Sequence, residues 1–324
     1  MTLYPTCLLP VTAIISLTAF ALPAQAYEGE CKPPKTNYSS VSCTSDDNLF
    51  VADNDNYRPQ ALLNRQGKVV ASLKGYDVID HWGIKDGVFA VMKNGKVGYM
   101  NTQGKLVVPT IYDSMQDPDD KYDETWAESP SQNRIVVSKN GKLGIIDTSN
   151  KVIMPFTNKY NSIESFSEGM APVVSKSYKW GFIDTDGKEV IAPQYDATNG
   201  HFGGVYGFSQ GLAGMKKGDK WGYITKTGKV AIPFVYDEIR PFSEGIAGVL
   251  KGGKWGFIDG ANKTVIPFKY SDDNVERYSV NYMGASYFIF EDNVAQVATI
   301  IRKRYVSIKR IRRWLVDRLG WPYC

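Results

Sequence analysis

The residues able to act as nucleophile, acid–base pair or metal ligand are few, and their spacing decides what they can do. Gly207-Phe208-Ser209-Gln210-Gly211 has the G-x-S-x-G form of a nucleophile elbow, a strained strand-to-helix turn that lifts a serine hydroxyl toward substrate. Its neighbours argue otherwise. Phe166-Ser167-Glu168-Gly169 and Phe242-Ser243-Glu244-Gly245 carry the same pattern in the same phase, and no helical periodicity follows. Ser209 is therefore read as a turn residue. The chain holds only His81 and His201, which leaves a Ser-His-Asp arrangement or a histidine metal cluster poorly supplied. Asp117, Asp119, Asp120, Asp123 and Glu124 could gather oxygens around calcium, but EF-hand spacing and its glycine are missing, and a solvated loop is the better reading. Asp147, Asp184 and Asp259 recur at one repeat position, which favours turn capping over a paired-carboxylate hydrolase. No phosphate-cradling glycine loop followed by Lys-Ser or Lys-Thr is present. No catalytic, cofactor-binding or metal residue is assigned.

The elements that would have to position such groups are copies of one unit. Lys-Trp-Gly-aromatic-Ile begins at Lys179, Lys220 and Lys254, placing Trp180, Trp221 and Trp255 at spacings of 41 and 34 residues. Leu143 and Val97 take the tryptophan place further upstream, with Gly144 and Gly98 retained. A weaker unit covers about residues 62–92, and a truncated copy starts at Phe290. Within a unit, an apolar run such as Ile246–Leu250 precedes a Gly or Asn turn, a second run follows, then another turn at Gly187, Gly228 or Asn262. A β-branched run closes the unit and is expected to stop at Pro233 or Pro267, because proline cannot donate to a ladder. Each unit reads as a three-strand meander, with Tyr236-Asp237 as a possible fourth extended piece. Because Leu and Val substitute for the indole, Trp180, Trp221 and Trp255 are read as core, with Gly181, Gly222 and Gly256 admitting a neighbour closely. Stacking a sugar or peptide ring is their lesser reading.

The pattern resembles the WG-repeat, or KWG-repeat, family over roughly residues 62–297. The resemblance rests on the three Trp-Gly pairs and is looser before Leu143. It implies a bacterial, often exported repeat protein with an interaction role, and it supplies no catalytic residues to carry over. The expected fold is all-β, with tandem meanders forming a curved solenoid or propeller-like array.

Residues 1–26 read as a signal peptide ending in Ala24-Gln25-Ala26, with cleavage expected after Ala26 and a periplasmic or secreted product. The segment 27–61 contains Cys31 and Cys43, read as a disulfide in an oxidising compartment; metal binding is the alternative, with no histidine nearby. The Gly-rich, aromatic insertion at 198–206 offers His201, Phe202 and Tyr206 as a contact loop, or as a loop with no partner. Residues 298–324 break the repeat. They hold eight Lys or Arg against one Asp, so the rest of the chain carries 30 basic and 33 acidic residues although the whole is +4. A shifted reading frame, an amphipathic helix built on Ile301, Tyr305, Ile308, Leu315 and Leu319, and a basic arm compete as explanations. Contact with a membrane surface depends on that tail being genuine, and an exported chain argues against nucleic acid. The function expected is non-enzymatic: a binding surface for an unknown protein or glycan in the cell envelope or outside the cell. A hydrolase of envelope polymers is the alternative.

Overall fold

A computed structural model describes residues 31–116, 126–196, 207–271, 289–302 and 305–312. The chain divides into two compact units, 1–32 and 33–324, and every described strand belongs to the second. The first sheet comprises β1 (Ser40–Cys43), β2 (Leu49–Asp53), β3 (Pro59–Asn64) and β4 (Val69–Ser72). The second holds β5 (Val78–Ile79), β6 (Val88–Lys93), β7 (Lys96–Asn101) and β8 (Leu106–Asp113), and the third holds β9 (Ile135–Lys139), β10 (Lys142–Ile146) and β11 (Val152–Thr157). One pairing, Asp113 with Ser138, joins these two. The fourth contains β12 (Tyr160–Ile163), β13 (Met170–Ser175), β14 (Lys179–Asp184) and β15 (Glu189–Asp196). The fifth contains β16 (Leu212–Lys217), β17 (Lys220–Thr225) and β18 (Val230–Tyr236), and the sixth β19 (Glu238–Ile239), β20 (Ile246–Lys251), β21 (Lys254–Asp259) and β22 (Thr264–Ser271). The seventh contains β23 (Phe290–Glu291), β24 (Val294–Arg302) and β25 (Tyr305–Arg312). The fold is all-β, and all strand pairs are antiparallel among neighbours in sequence, as in a propeller-like array of meanders.

Stacking buries what one meander cannot. Met170, Trp180, Phe182 and Tyr195 of the fourth sheet pack with Phe208, Ala213 and Met215 at the fifth. Trp221, Tyr223 and Tyr236 pack with Ile239, Phe242 and Val249 at the sixth, and Trp255, Phe257 and Tyr270 with Phe290 and Ala295 at the seventh. The same face of each sheet thus meets the next copy, which is how repeat arrays share a core.

Four expectations need correction. The β-branched runs do not end at Pro233 or Pro267. They pass through proline to Tyr236 and Ser271, because a bulge lets the prolines sit where no ladder hydrogen bond is required. Tyr236 therefore ends the third long strand, and the extra short strand is Glu238–Ile239. The meanders also begin earlier than residue 62, since Ser40–Asn64 already builds three strands of the first sheet from short apolar runs and a turn. Finally, the described part of the tail is not helical: Val294–Arg302 and Tyr305–Arg312 are strands that pair antiparallel. Ile300, Val306, Ile308 and Ile311 are β-branched, which favours extended chain over helix. Leu315 and Leu319 lie outside the described residues.

Candidate functional site

The signature residues are turned inward. Trp255 is fully buried, and Trp180 and Trp221 nearly so. Beside each, the ladder is interrupted: Trp180 pairs with Tyr195 while Phe182 pairs with Ile191, so the bulged segment of β15 crosses directly over Gly181. The same shift recurs at Gly98, Gly222 and Gly256. Trp82, by contrast, is 62% exposed and belongs to a loop.

One end of the array carries the Ser-Glu-Gly turns. Their second and third residues are left-handed, as in Glu168 (φ 50°) and Gly169 (φ 85°) or Gln210 (φ 53°) and Gly211 (φ 80°). Each serine hydroxyl donates to the phenylalanine carbonyl of the next copy: Ser131 to Phe166 at 2.5 Å, Ser167 to Phe208 at 2.6 Å, Ser209 to Phe242 at 2.6 Å and Ser243 to Phe290 at 2.5 Å. The middle side chains accept from the following turn. Gln132 accepts from the Gly169 amide, Glu168 from the Gln210 and Gly211 amides, Gln210 from Gly245 and Glu244 from Asn293. Ser209 is thus one rung of a ladder that fixes each copy to the next. Asp147, Asp184 and Asp259 cap their own turns, each accepting amide N–H groups two and four residues ahead.

The opposite end carries the hairpins between the first and second long strands. Asn94-Gly95, Asn140-Gly141 and Gly252-Gly253 all have positive φ, the signature of tight type I′ turns. The Tyr-Asp aspartate closing one sheet holds the next sheet's hairpin. Asp113 accepts from the Gly141 amide at 3.3 Å, Asp196 from Gly218 at 2.7 Å and Asp237 from Gly252 at 2.7 Å. The other oxygen of each carboxylate takes the lysine that heads its own Lys-x-Gly: Lys96 to Asp113 at 2.7 Å, Lys179 to Asp196 and Lys220 to Asp237. These lysine bonds, aided by the hairpin amides, hold Asp113, Asp196 and Asp237 below the usual carboxylate range. Asp77 makes the corresponding bond to the Gly95 amide, with Arg58 as its cation at 3.8 Å.

Sequence reasoning foresaw the turns and the buried indoles but not these inter-sheet bonds. The recurring Ser, Glu/Gln and Tyr-Asp were the signal that could have found them. His201, Phe202 and Tyr206 lie outside the described residues, as do Asp117, Asp119, Asp120, Asp123 and Glu124. Cys31 and Cys43 form a disulfide. Among the described residues no group of three or more His, Cys, Asp or Glu side chains could hold a metal ion. The remaining unusual group is Glu128, half-buried, whose carbonyl accepts the Tyr99 hydroxyl at 2.7 Å. Burial, reinforced by the Glu164 carboxylate, pushes its carboxyl up to about 7, with Lys85 opposing.

Repeated meanders whose signature residues are consumed in stacking define a β-repeat scaffold. The chain belongs to the WG containing repeat family, which matches residues 62–96, 98–122, 144–178, 180–221, 221–255 and 255–279. No curated protein matches it. Among solved structures, a eukaryotic initiation factor is similar at 12% identity over 86% of this chain and 76% of that one, with a TM-score of 0.50. BamB from Moraxella catarrhalis is similar at 10% identity over 86% of both chains, with a TM-score of 0.39. Hsv2 from Kluyveromyces lactis gives 9% identity, 83% and 88% coverage and a TM-score of 0.38. At such identities the likeness concerns the fold alone.

Proposed function

We propose that this chain is an exported binding scaffold that grips a protein or glycan in the cell envelope or outside the cell. One observation carries the reading. The residues that define the repeat are used up inside or between sheets, while the hairpin end presents exposed, charged side chains in a fixed order. A surface of this kind binds without needing a reaction centre, and function in repeat arrays resides on such faces. Export is supported by the Ala24-Gln25-Ala26 segment and by the Cys31–Cys43 disulfide, a bond that persists mainly in oxidising compartments.

The test has two parts. In a bacterial host, the chain is expected in the periplasmic or extracellular fraction, with Tyr27 as its first residue by mass spectrometry. The purified chain is then expected to retain purified envelope glycans or proteins without altering them. Retention of residues 1–26 on a cytoplasmic product would defeat the export claim, and chemical turnover of a retained polymer would defeat the scaffold claim.

A further inference from the structure

We infer that the hairpin end binds an anionic polysaccharide, with its carboxylate or phosphate groups taken by successive lysines and a sugar face stacked on Tyr178. This rests on the reading of the chain as a binding scaffold and specifies its ligand.

The lysines stand where a hairpin does not want them. Lys93 faces Lys96, Lys139 faces Lys142, Lys217 faces Lys220 and Lys251 faces Lys254 in the strand registers. Like charges directly opposite each other destabilise an antiparallel pair. The turns themselves are satisfied by Asn-Gly and Gly-Gly and call for no flanking charge. In the fourth sheet Lys179 opens β14, while Lys176 lies in the turn itself and faces no strand residue. In the second, fourth and fifth hairpins the second lysine is neutralised by the aspartate of its own sheet. Among the described residues, Lys93, Lys139, Lys176, Lys217 and Lys251 have no ion-pair partner, and all are exposed. Lys93 and Lys139 rest 5.7 and 6.0 Å over the rings of Tyr76 and Tyr112, which aligns them with the sheet edge. Asp219 is the only carboxylate in the turns of these five hairpins.

The result is at least one exposed ammonium group without an ion pair in each of five consecutive sheets, and two in the third, where Lys142 also has none among the described residues. Their order is fixed because in four of the five the hairpin amide is clasped by the preceding sheet's aspartate. Cations repeated at a fixed pitch match a polymer whose anions also repeat. A folded protein partner calls instead for a packed cluster of buried aromatic or aliphatic anchors. The hairpin tips offer Asn, Gly and Ser, with no Cβ neighbour within 4 Å of Gly95, Gly141, Gly218, Gly252 or Gly253.

Tyr178 is the exception, and it lies in the central hairpin of the five. It is 69% exposed and left-handed at φ 56°. Its amide donates to the Ser175 carbonyl, closing a three-residue turn whose last position ordinarily takes glycine. A bulky residue there is a backbone outlier, and such outliers gather at binding sites. In sequence Tyr178 lies between Lys176 and Lys179, an exposed aromatic residue within the cationic row.

The experiment uses the full mature chain in calorimetric titration against polygalacturonate, a phosphorylated mannan, neutral dextran, polyglutamate and single-stranded DNA. Binding to polygalacturonate or phosphorylated mannan, weakened by salt and absent for dextran, is expected; which of the two binds more tightly assigns carboxylate or phosphate. K93Q/K139Q/K251Q should weaken it at least tenfold and Tyr178→Ala about threefold or more, both with unchanged melting. K105Q/K188Q/K229Q, at the opposite end, should leave it unchanged. Equal affinity of the hairpin triple variant overturns the proposal. So does binding of polyglutamate or DNA as tight as the polysaccharide, insensitive to Tyr178→Ala, since the row would then be a general polyanion surface. Retention of dextran or an envelope protein alone also overturns it while leaving the scaffold reading intact; no binding to either panel removes both.

Discussion

The carbonyl oxygen of Ile191 lies 2.5 Å from where a Cβ on Gly181 would stand. The same relationship joins Gly98 to Val108 at 2.5 Å, Gly222 to Ile232 at 2.6 Å and Gly256 to Ile266 at 2.9 Å. The glycine after each tryptophan position is therefore demanded by a neighbouring backbone, not by its own dihedral angles. Backbone cannot swing aside as a side chain can. Gly222→Ala is expected to destabilise the chain by about 2–3 kcal/mol, an overpacking cost. Gly144→Ala should cost clearly less, because the obstacle there is the Phe156 ring, 2.8 Å away. Chemical denaturation of the two variants side by side measures the difference, and equal losses would contradict it.

Ser209 offers a second check. Its hydroxyl donates to Phe242 across the junction between the fifth and sixth sheets. Ser209→Ala is expected to lose about 1 kcal/mol, the net worth of one such bond, with a further contribution if the carbonyl finds no water. The hydroxyl should also stay unreactive toward a fluorophosphonate probe, because its proton is committed to the Phe242 carbonyl. Labelling of Ser209 at a rate above that of free serine would restore the nucleophile reading.

What could be read in advance was whatever is local or periodic. Gly187, Gly228 and Asn262 were placed as turns by type alone, and all three are left-handed, at φ 75°, 78° and 64°. Trp180, Trp221 and Trp255 announced burial by exchanging with Leu143 and Val97. Pro233 misled because a proline reads as a strand end unless the bulge opposite Gly222 is known, and that bulge is a two-strand property. Ser167 and Glu168 were legible as turn residues and the Tyr-Asp position of Asp196 as extended chain, yet their partners sit in the following copy, at separations that no local pattern encodes. Lys93-Asn94-Gly95-Lys96 is visible as a charged hairpin. Which of its lysines remains unpaired depends on Asp113, seventeen residues beyond Lys96 and brought back by a whole strand.

The Lys–Asp pairs set a low-pH limit. Lysine bonding depresses Asp113, Asp196 and Asp237 below their ordinary 3.8. A carboxylate whose folded pKa is depressed contributes stability that is complete above the unfolded value and lost as pH falls through the folded one. The three should therefore support the hairpin end fully at pH 5 and progressively less below about pH 4. Both partners are substantially solvated, so each pair is worth about 0.2–1 kcal/mol. Asp196→Asn should lower stability at pH 6 by that order and flatten its dependence between pH 4 and 2. Salt at 1 M should shrink the difference.

Glu128 acts in the opposite direction and at a different pH. Burial raises its carboxyl from 4.5 to about 7, with Glu164 adding to the shift and Lys85 opposing it. Its surroundings also include Tyr99, whose hydroxyl is raised chiefly by burial and further by the Glu128 and Asp80 carboxylates, and the adjoining Ser129, which donates to Asp80 at 3.4 Å. Because the folded chain holds this proton more tightly than the unfolded chain, the associated stability is full below about pH 4.5. It declines as pH rises to about 7 and is constant beyond. The decline corresponds to roughly 3 kcal/mol at 1.36 kcal/mol per pH unit, with water at the partly open site reducing it. Glu128→Gln keeps the shape and removes the charge. It should leave stability at pH 4.5 nearly unchanged and raise it at pH 8 by about 1–3 kcal/mol, which urea denaturation at the two pH values would resolve. Since the Lys–Asp pairs titrate below pH 4, the two windows do not overlap, and a variant that shifted the acid limb instead would assign the proton to another group.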